Sequence, residues 1–94
     1  MGPTMTRNRL PPGRWDEVIS RDGWCCQAAR HGVVSDCAGR LVVHHILPRG
    51  AGGTREAAIH DASNLVTLCE HHHRFVHANP ALSYESRLLR RRSA

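Results

Sequence analysis

The sequence predicts a small α+β domain: a helix, two short strands joined through a glycine-rich loop, and a second helix. Three observations carry this prediction. Trp15, Val18 and Ile19 stand at i, i+3 and i+4, the spacing of one helical face. Leu41–Ile46 and Leu65–Leu68 are short apolar, β-branched runs of strand character. Four cysteines and eight histidines occur among 94 residues, against four aromatic side chains. A chain this short buries little apolar surface, and such scaffolds need a staple, either metal or disulfide.

Taken in order, residues 1–13 hold Arg7, Arg9 and three prolines and read as a flexible arm. A disordered leader without function is the plainer reading, with Arg7, Arg9 and Arg14 as candidate contacts to a DNA backbone. The first helix covers Arg14–Arg21, with Asp16 and Glu17 in its first turn and Gly23 just past its end. Both features suit helix termini. Cys25–Cys37 is a loop rich in Gly, Ser and Ala, and Leu41–Ile46 is the first strand. Pro48–Asp61, with Gly50, Gly52 and Gly53, is a surface loop. Leu65–Leu68 is the second strand. Glu70–Ala78 has a helical pattern that Asn79-Pro80 terminates. Residues 14–80 thus form the domain. Residues 81–94, closing on Arg90-Arg91-Arg92, are expected to be a solvated basic tail. His31, His60 and His71 share no spacing with the other histidines and read as surface residues.

Net charge is +5, from thirteen basic residues, all arginine, and eight acids. GC-rich coding would explain arginine in place of lysine but not the sign of the charge. Arginine's planar fork pairs with phosphate, so the excess points to a nucleic-acid partner. No charged and then apolar leader opens the chain, and no apolar run reaches membrane-spanning length. The chain reads as cytoplasmic, a reducing compartment in which cysteines beside histidines are metal ligands.

Helix geometry divides those ligands into two groups. At about 100° per residue, His73 and His77 are about 40° apart and can share an ion. His72 lies about 100° from His73 and faces elsewhere. Cys69 and His72, three apart at the start of the helix, form a half-site of the kind found in structural zinc centres. Two faces imply two sites.

Val43-His44-His45-Ile46-Leu47-Pro48-Arg49-Gly50, followed by Asn64 and by the run from Cys69 through His73 to His77, resembles the signature of HNH endonucleases. The similarity is greatest to the small free-standing HNH proteins of bacteriophages and runs from about Trp15 to about Pro80. Arg21-Asp22-Gly23-Trp24 before a cysteine is similar to the opening of such domains. The resemblance implies a ββα-metal (His-Me finger) HNH fold with an N-terminal helix and a structural zinc. The zinc ligands would be Cys26, Cys37, Cys69 and His72. Family members carry cysteine where His72 stands, and ten residues, not two, separate Cys26 from Cys37, so this loop must fold back. Cys25 competes with Cys26, which family members favour by its place before Gln27; buried free thiols are the bland alternative.

By the same resemblance His44, His73 and His77 hold one catalytic divalent ion (Mg²⁺, Mn²⁺, Ni²⁺ or Co²⁺) and His45 is the general base. Neighbouring strand residues point to opposite faces, so a bend at Ile46-Leu47-Pro48 would be needed to aim both histidines inward. Asn64, nine positions before His73, would fix the base by bonding backbone across the long loop. Arg49 is a phosphate clamp or a solvent-facing loop charge, and Arg49 and Arg74 are candidate DNA contacts. The activity implied is metal-dependent hydrolysis of DNA phosphodiester bonds, leaving 5′-phosphate and 3′-hydroxyl ends. DNA, and phage terminase or packaging proteins, are the partners the resemblance implies. A non-catalytic, zinc-stabilised DNA-binding module is the rival. It accounts for the charge and the cysteines but leaves four histidines at metal and base spacing unexplained. The lack of His-Glu-x-x-His speaks against a zinc protease.

Overall fold

The computed structural model describes residues 10–47 and 59–90. Its elements are α1 (Arg14–Arg21), a 3₁₀ turn (Ala28–His31), β1 (Leu41–His45), a second 3₁₀ turn (Ala62–Asn64), β2 (Leu65–Cys69), α2 (Glu70–Ala78) and α3 (Pro80–Glu85). The two strands pair antiparallel, with Leu41 opposite Cys69, His44 opposite Val66 and His45 opposite Leu65. No helix among the described residues is long and apolar enough to cross a membrane.

Side chains alternate across a strand, so this narrow sheet has two faces and both are covered. On one face Val43 and Leu65 pack with Val18 and Ile19 of α1 and with Leu10. On the other, Val66 and Leu68 pack with Val76 of α2 and with Ala28, Val33, Leu88 and Leu89. All five residues of β2 are consequently buried. β1 directs Val42 and Ile46 to the α2 side, and His44, in phase with them, goes the same way. His45 shares the phase of Val43.

The Arg21-Asp22 pair locks α1 to the sheet. The Arg21 guanidinium donates to the carbonyls of Ala62 (2.9 Å) and Leu65 (2.8 Å), and the Thr67 N–H donates to the Asp22 carboxylate at 2.9 Å. Desolvation pushes the Asp22 pKa up, but the bonds from Arg21 and Thr67 outweigh it and hold the carboxyl below its ordinary value.

Both ends of the domain differ from expectation. Leu10 is buried against α1, so the packed unit begins inside the span read as an arm; Arg7 and Arg9 lie outside the described residues. Arg14 turns inward, donating to the His60 carbonyl and pairing with Glu17 at 3.1 Å. At the other end Pro80 closes α2 but also opens α3, where its fixed φ suits the first turn. The segment read as a solvated tail from residue 81 instead sends Leu88 and Leu89 into the core, and the Arg90 N–H donates to the Ile46 carbonyl at 2.9 Å. A two-residue apolar step in an arginine-rich run was too short to show periodicity. Arg91 and Arg92 lie outside the described residues.

Candidate metal centres

Cys26, Cys37, Cys69 and His72 offer ligand atoms that lie within 4.8 Å of one another. Nδ1 of His72 faces all three sulfurs, at 3.2 Å from Cys69, 3.4 Å from Cys26 and 3.6 Å from Cys37. Tetrahedral zinc, with Zn–S near 2.3 Å and Zn–N near 2.05 Å, separates nitrogen from sulfur by about 3.5 Å. The observed spacings bracket that value. Nε2 of His72 lies 2.8 Å from the Ser35 hydroxyl; carrying its proton there leaves the Nδ1 lone pair for a metal. The four side chains therefore fit a metal ion, consistent with a structural zinc.

The long loop folds back through two clamps. Gln27 N–H donates to the Thr67 carbonyl at 2.9 Å, which sets Cys26 beside β2. The 38–40 segment is bonded to the start of α2, His71 N–H to Ala38 O at 3.0 Å and Glu70 N–H to Arg40 O at 2.9 Å. This brings Cys37 to Cys69. Gly39 sits at φ +86°, and a Cβ there would stand 2.8 Å from Cβ of Glu70, so only glycine permits the approach. Cys25 is exposed and outside the group, which settles the choice between the neighbours in favour of Cys26 on geometry.

Thiols packed together cannot all ionise without a cation between them. Desolvation, then the sulfurs of Cys69 and Cys26, push Cys37 up to about 12. Burial also works against ionising Cys69, but N–H donors from His72 and Ala38 overcome it and lower its pKa. Burial, aided by His71, holds His72 below the usual imidazole range.

His44, His73 and His77 form the second group able to hold a metal ion. Nε2 of His73 and Nε2 of His77 are 3.3 Å apart. Two imidazole nitrogens bound tetrahedrally at about 2.0–2.1 Å would be separated by about 3.3–3.4 Å. The His44 ring meets both in edge contacts, at 5.4 and 5.7 Å between centroids. Its Nε2 donates to the Leu88 carbonyl, which leaves the lone pair on Nδ1. That Nδ1 is buried with no hydrogen-bond partner, a costly state for a polar atom that a metal ion would relieve. Burial, reinforced by His73 and His77 and opposed by Leu88, pushes His44 down to about 4. It is a neutral ligand at any physiological pH. Burial likewise lowers His73, with His77 and Arg74 adding to the effect. His44 is buried, His73 half-buried and His77 exposed, so the group opens to solvent on one side.

His45 is not in this group. Its Nε2 lies 3.0 Å from Nδ1 of His60. His60, read from the sequence as a surface residue, is 4 % exposed, because the chain before Asn64 tucks under β1. His31 is half-buried and its Nδ1 meets the Ser86 carbonyl at 2.9 Å; His71 is exposed. No periodicity connects His60 to His45, so spacing could not have found it. The Leu88 acceptor is backbone and leaves no sequence signal at all.

Asn64 is buried and bonds three backbone groups. Leu47 N–H donates to its Oδ1 at 2.8 Å, and its Nδ2 donates to the carbonyls of Leu47 (3.1 Å) and Ile59 (2.9 Å). It thus joins the two ends of the long loop. Arg90 reaches the same Oδ1 at 3.4 Å. Arg74 is exposed on α2. Arg49 lies outside the described residues, as do the loop glycines. An open cleft of about 630 Å³ beside Ile46 is lined by His31, Tyr84, Arg87, Leu89 and Arg90.

No family model, curated protein or solved structure matches this chain.

Proposed function

We propose that this chain is a metal-dependent DNA endonuclease of the HNH type, built on a ββα-metal fold from β1, β2 and α2. The observation that carries the reading is the convergence of His44, His73 and His77 on one solvent-open point. A fourth histidine, His45, follows His44 directly and is not a member of that group. Three neutral donors leave coordination positions for substrate, unlike the four-ligand group nearby. A divalent ion held there would stabilise charge on a phosphate oxygen and on the departing oxygen.

The chain's own residues supply the rest. His45 takes a proton from water so that hydroxide can attack phosphorus in line, a task suited to an imidazole at neutral pH. Asn64 fixes the backbone that follows His45 by bonding both polar groups of Leu47. Arg74 beside His73, Arg87 and Arg90 on the cleft beside Ile46, and Arg49 from the sequence are the candidates for contact with strand phosphates. Net charge of +5 supports a polyanionic substrate.

The test is plasmid cleavage with Mg²⁺, Mn²⁺, Co²⁺ and Ni²⁺, using wild type and His45→Ala. His45→Ala should slow cleavage by roughly 10²–10⁴-fold while DNA affinity and metal content stay within twofold. Calorimetry should show Ni²⁺ or Co²⁺ bound more tightly than Mg²⁺, since imidazole is a poor ligand for a hard cation. Equal cleavage rates for the two proteins would replace this reading with a zinc-stabilised DNA-binding module.

A further inference from the structure

The open cleft beside Ile46 belongs to neither ligand group, yet it shares a wall with one of them. Segment 87–90 is that wall. Its Leu88 carbonyl accepts from His44, while Arg87, Leu89 and Arg90 line the cleft. The Arg90 N–H ties the same segment to the Ile46 carbonyl at 2.9 Å. His31, the last residue of the first 3₁₀ turn, also lines the cleft, and its Nδ1–H donates to the Ser86 carbonyl at 2.9 Å. The lining is of two kinds. Ile46, Tyr84 and Leu89 pack with the core on the α2 side and make an apolar floor. Arg87 and Arg90 are exposed, and among the described residues neither guanidinium pairs with a carboxylate.

Arg87 carries a second signal. It follows Ser86, the C-cap of α3, at φ +66°, and the Leu88 and Leu89 N–H groups both return to the Ser83 carbonyl. A helix closed in this way ordinarily has glycine at the left-handed position, where a Cβ is disfavoured. Here an arginine stands instead, and the unfavourable backbone holds its side chain at the edge of the cleft. A duplex presents phosphate and sugar to a surface outside its grooves, and an apolar floor gains little from them. A single strand presents phosphate and an unstacked base together. Proteins that hold single strands meet the backbone with cations and the bases with aromatic and apolar side chains. The cleft volume of about 630 Å³ falls among those of sites that enclose small organic ligands. We propose that the cleft holds an unpaired nucleotide of a DNA strand, its base on the floor of Ile46, Tyr84 and Leu89 and its flanking phosphates on Arg87 and Arg90. The choice of DNA rests on the nuclease reading. On that reading the preferred substrate is a duplex with a single-stranded flank, because a nucleotide in the cleft lies against the segment that also supports His44.

The experiment is titration of the zinc-loaded full chain, with no other divalent ion added, by a short labelled oligothymidylate and by an abasic strand of the same length. Oligothymidylate should bind roughly 5–150-fold more tightly, the range that one stacked base contributes. Amide shifts in ¹⁵N-labelled protein should be largest at Ile46, Tyr84, Arg87 and Leu89. Arg87→Gly removes the guanidinium and suits the left-handed backbone, so its melting temperature should stay within a few degrees of wild type. Its affinity for oligothymidylate should drop, and the slope of log affinity against log salt should flatten by about 0.7, the share of one phosphate contact on a single strand. In cleavage assays wild type should cut a duplex with an unpaired arm faster than a blunt duplex, and Arg87→Gly should narrow that preference. Equal affinity for the two strands, largest shifts away from the cleft, or an Arg87→Gly salt slope equal to wild type each overturns the proposal. So does a glutamate peptide of the same charge that binds as tightly as oligothymidylate. Oligouridylate bound more tightly than oligothymidylate overturns the choice of DNA. If oligothymidylate binds as described but no metal supports cleavage of any DNA, the nuclease reading fails and the nucleotide cleft stands. If DNA is cut and the cleft binds no strand, the cleft fails and the nuclease reading stands.

Discussion

The tetrad of Cys26, Cys37, Cys69 and His72 and the triad of His44, His73 and His77 hang from the same helix, yet they are finished differently. The tetrad supplies four donors, three of them thiols, and its imidazole is backed by Ser35. Four donors complete a tetrahedron. The triad supplies three imidazoles, and among the described residues its buried member is backed by the Leu88 carbonyl. Its outermost ring is exposed. A completed shell holds loops together; an incomplete one admits a further ligand. On the proposed reading, one nine-residue helix serves architecture on one face and chemistry on the other.

That contrast breaks most visibly if the tetrad is dispensable. Stripping the metal with a strong chelator, or substituting Cys69→Ala, is expected to unfold the domain. Structural zinc contributes about 10–16 kcal/mol of apparent binding energy, against a total stability of about 5–15 kcal/mol for a typical domain. Mass spectrometry for one tightly held zinc per chain, paired with circular dichroism, reads the result. A fully folded zinc-free protein would erase the distinction.

His73→Ala tests the other half. Cleavage and the second metal should be lost together, while melting temperature measured with zinc in place stays within a few degrees of wild type, because His73 is only half-buried. Unfolding of this variant would mean that the triad, too, is architecture.

Leu88→Ala separates the two duties of the C-terminal segment. The lost packing should cost about 2–5 kcal/mol, read by urea denaturation. The acceptor for His44 is a backbone carbonyl, so second-metal affinity in the folded fraction should stay within about threefold. A larger drop would show that the side chain, by positioning the backbone at residue 88, also tunes the triad.

The smallest effect concerns acid stability. A carboxyl whose pKa is lowered in the fold stabilises fully above its unfolded value and loses that contribution as pH falls through the folded value. Asp22 has such a lowered pKa. The stability gap between wild type and Asp22→Asn should therefore be constant above about pH 5 and shrink below about pH 4, near the unfolded aspartate value. A gap independent of pH would show that the Thr67 bond does not depend on the carboxylate charge.

What could be read in advance divides along physical lines. The extents of α1 and α2 and the separation of His72 from His73 follow from a short-range rule, the angle between successive residues, and the structure has them. Asn64 across the loop was legible by likeness to a family pattern, and its three backbone bonds are present. His60, Leu10 and Leu88 were misread because their positions depend on contacts between segments remote in sequence. Those contacts obey no period. The fold-back from Cys26 to Cys37 needed a clamp at Gly39 that the sequence displays only as one glycine among eight.

One feature of α2 bears on how this chain can vary in length. His72 belongs with Cys69 to one ligand group, and His73 and His77 to the other, on different sides of one helix. Inserting or deleting a single residue between Cys69 and His77 turns every ligand beyond it by about 100° and misdirects at least one set. The stretch from residue 27 to 36 is different, since it need only return Cys37 to the clamp at Glu70 and His71. A change of length in that loop turns no ligand of the helix, whereas a change within α2 does.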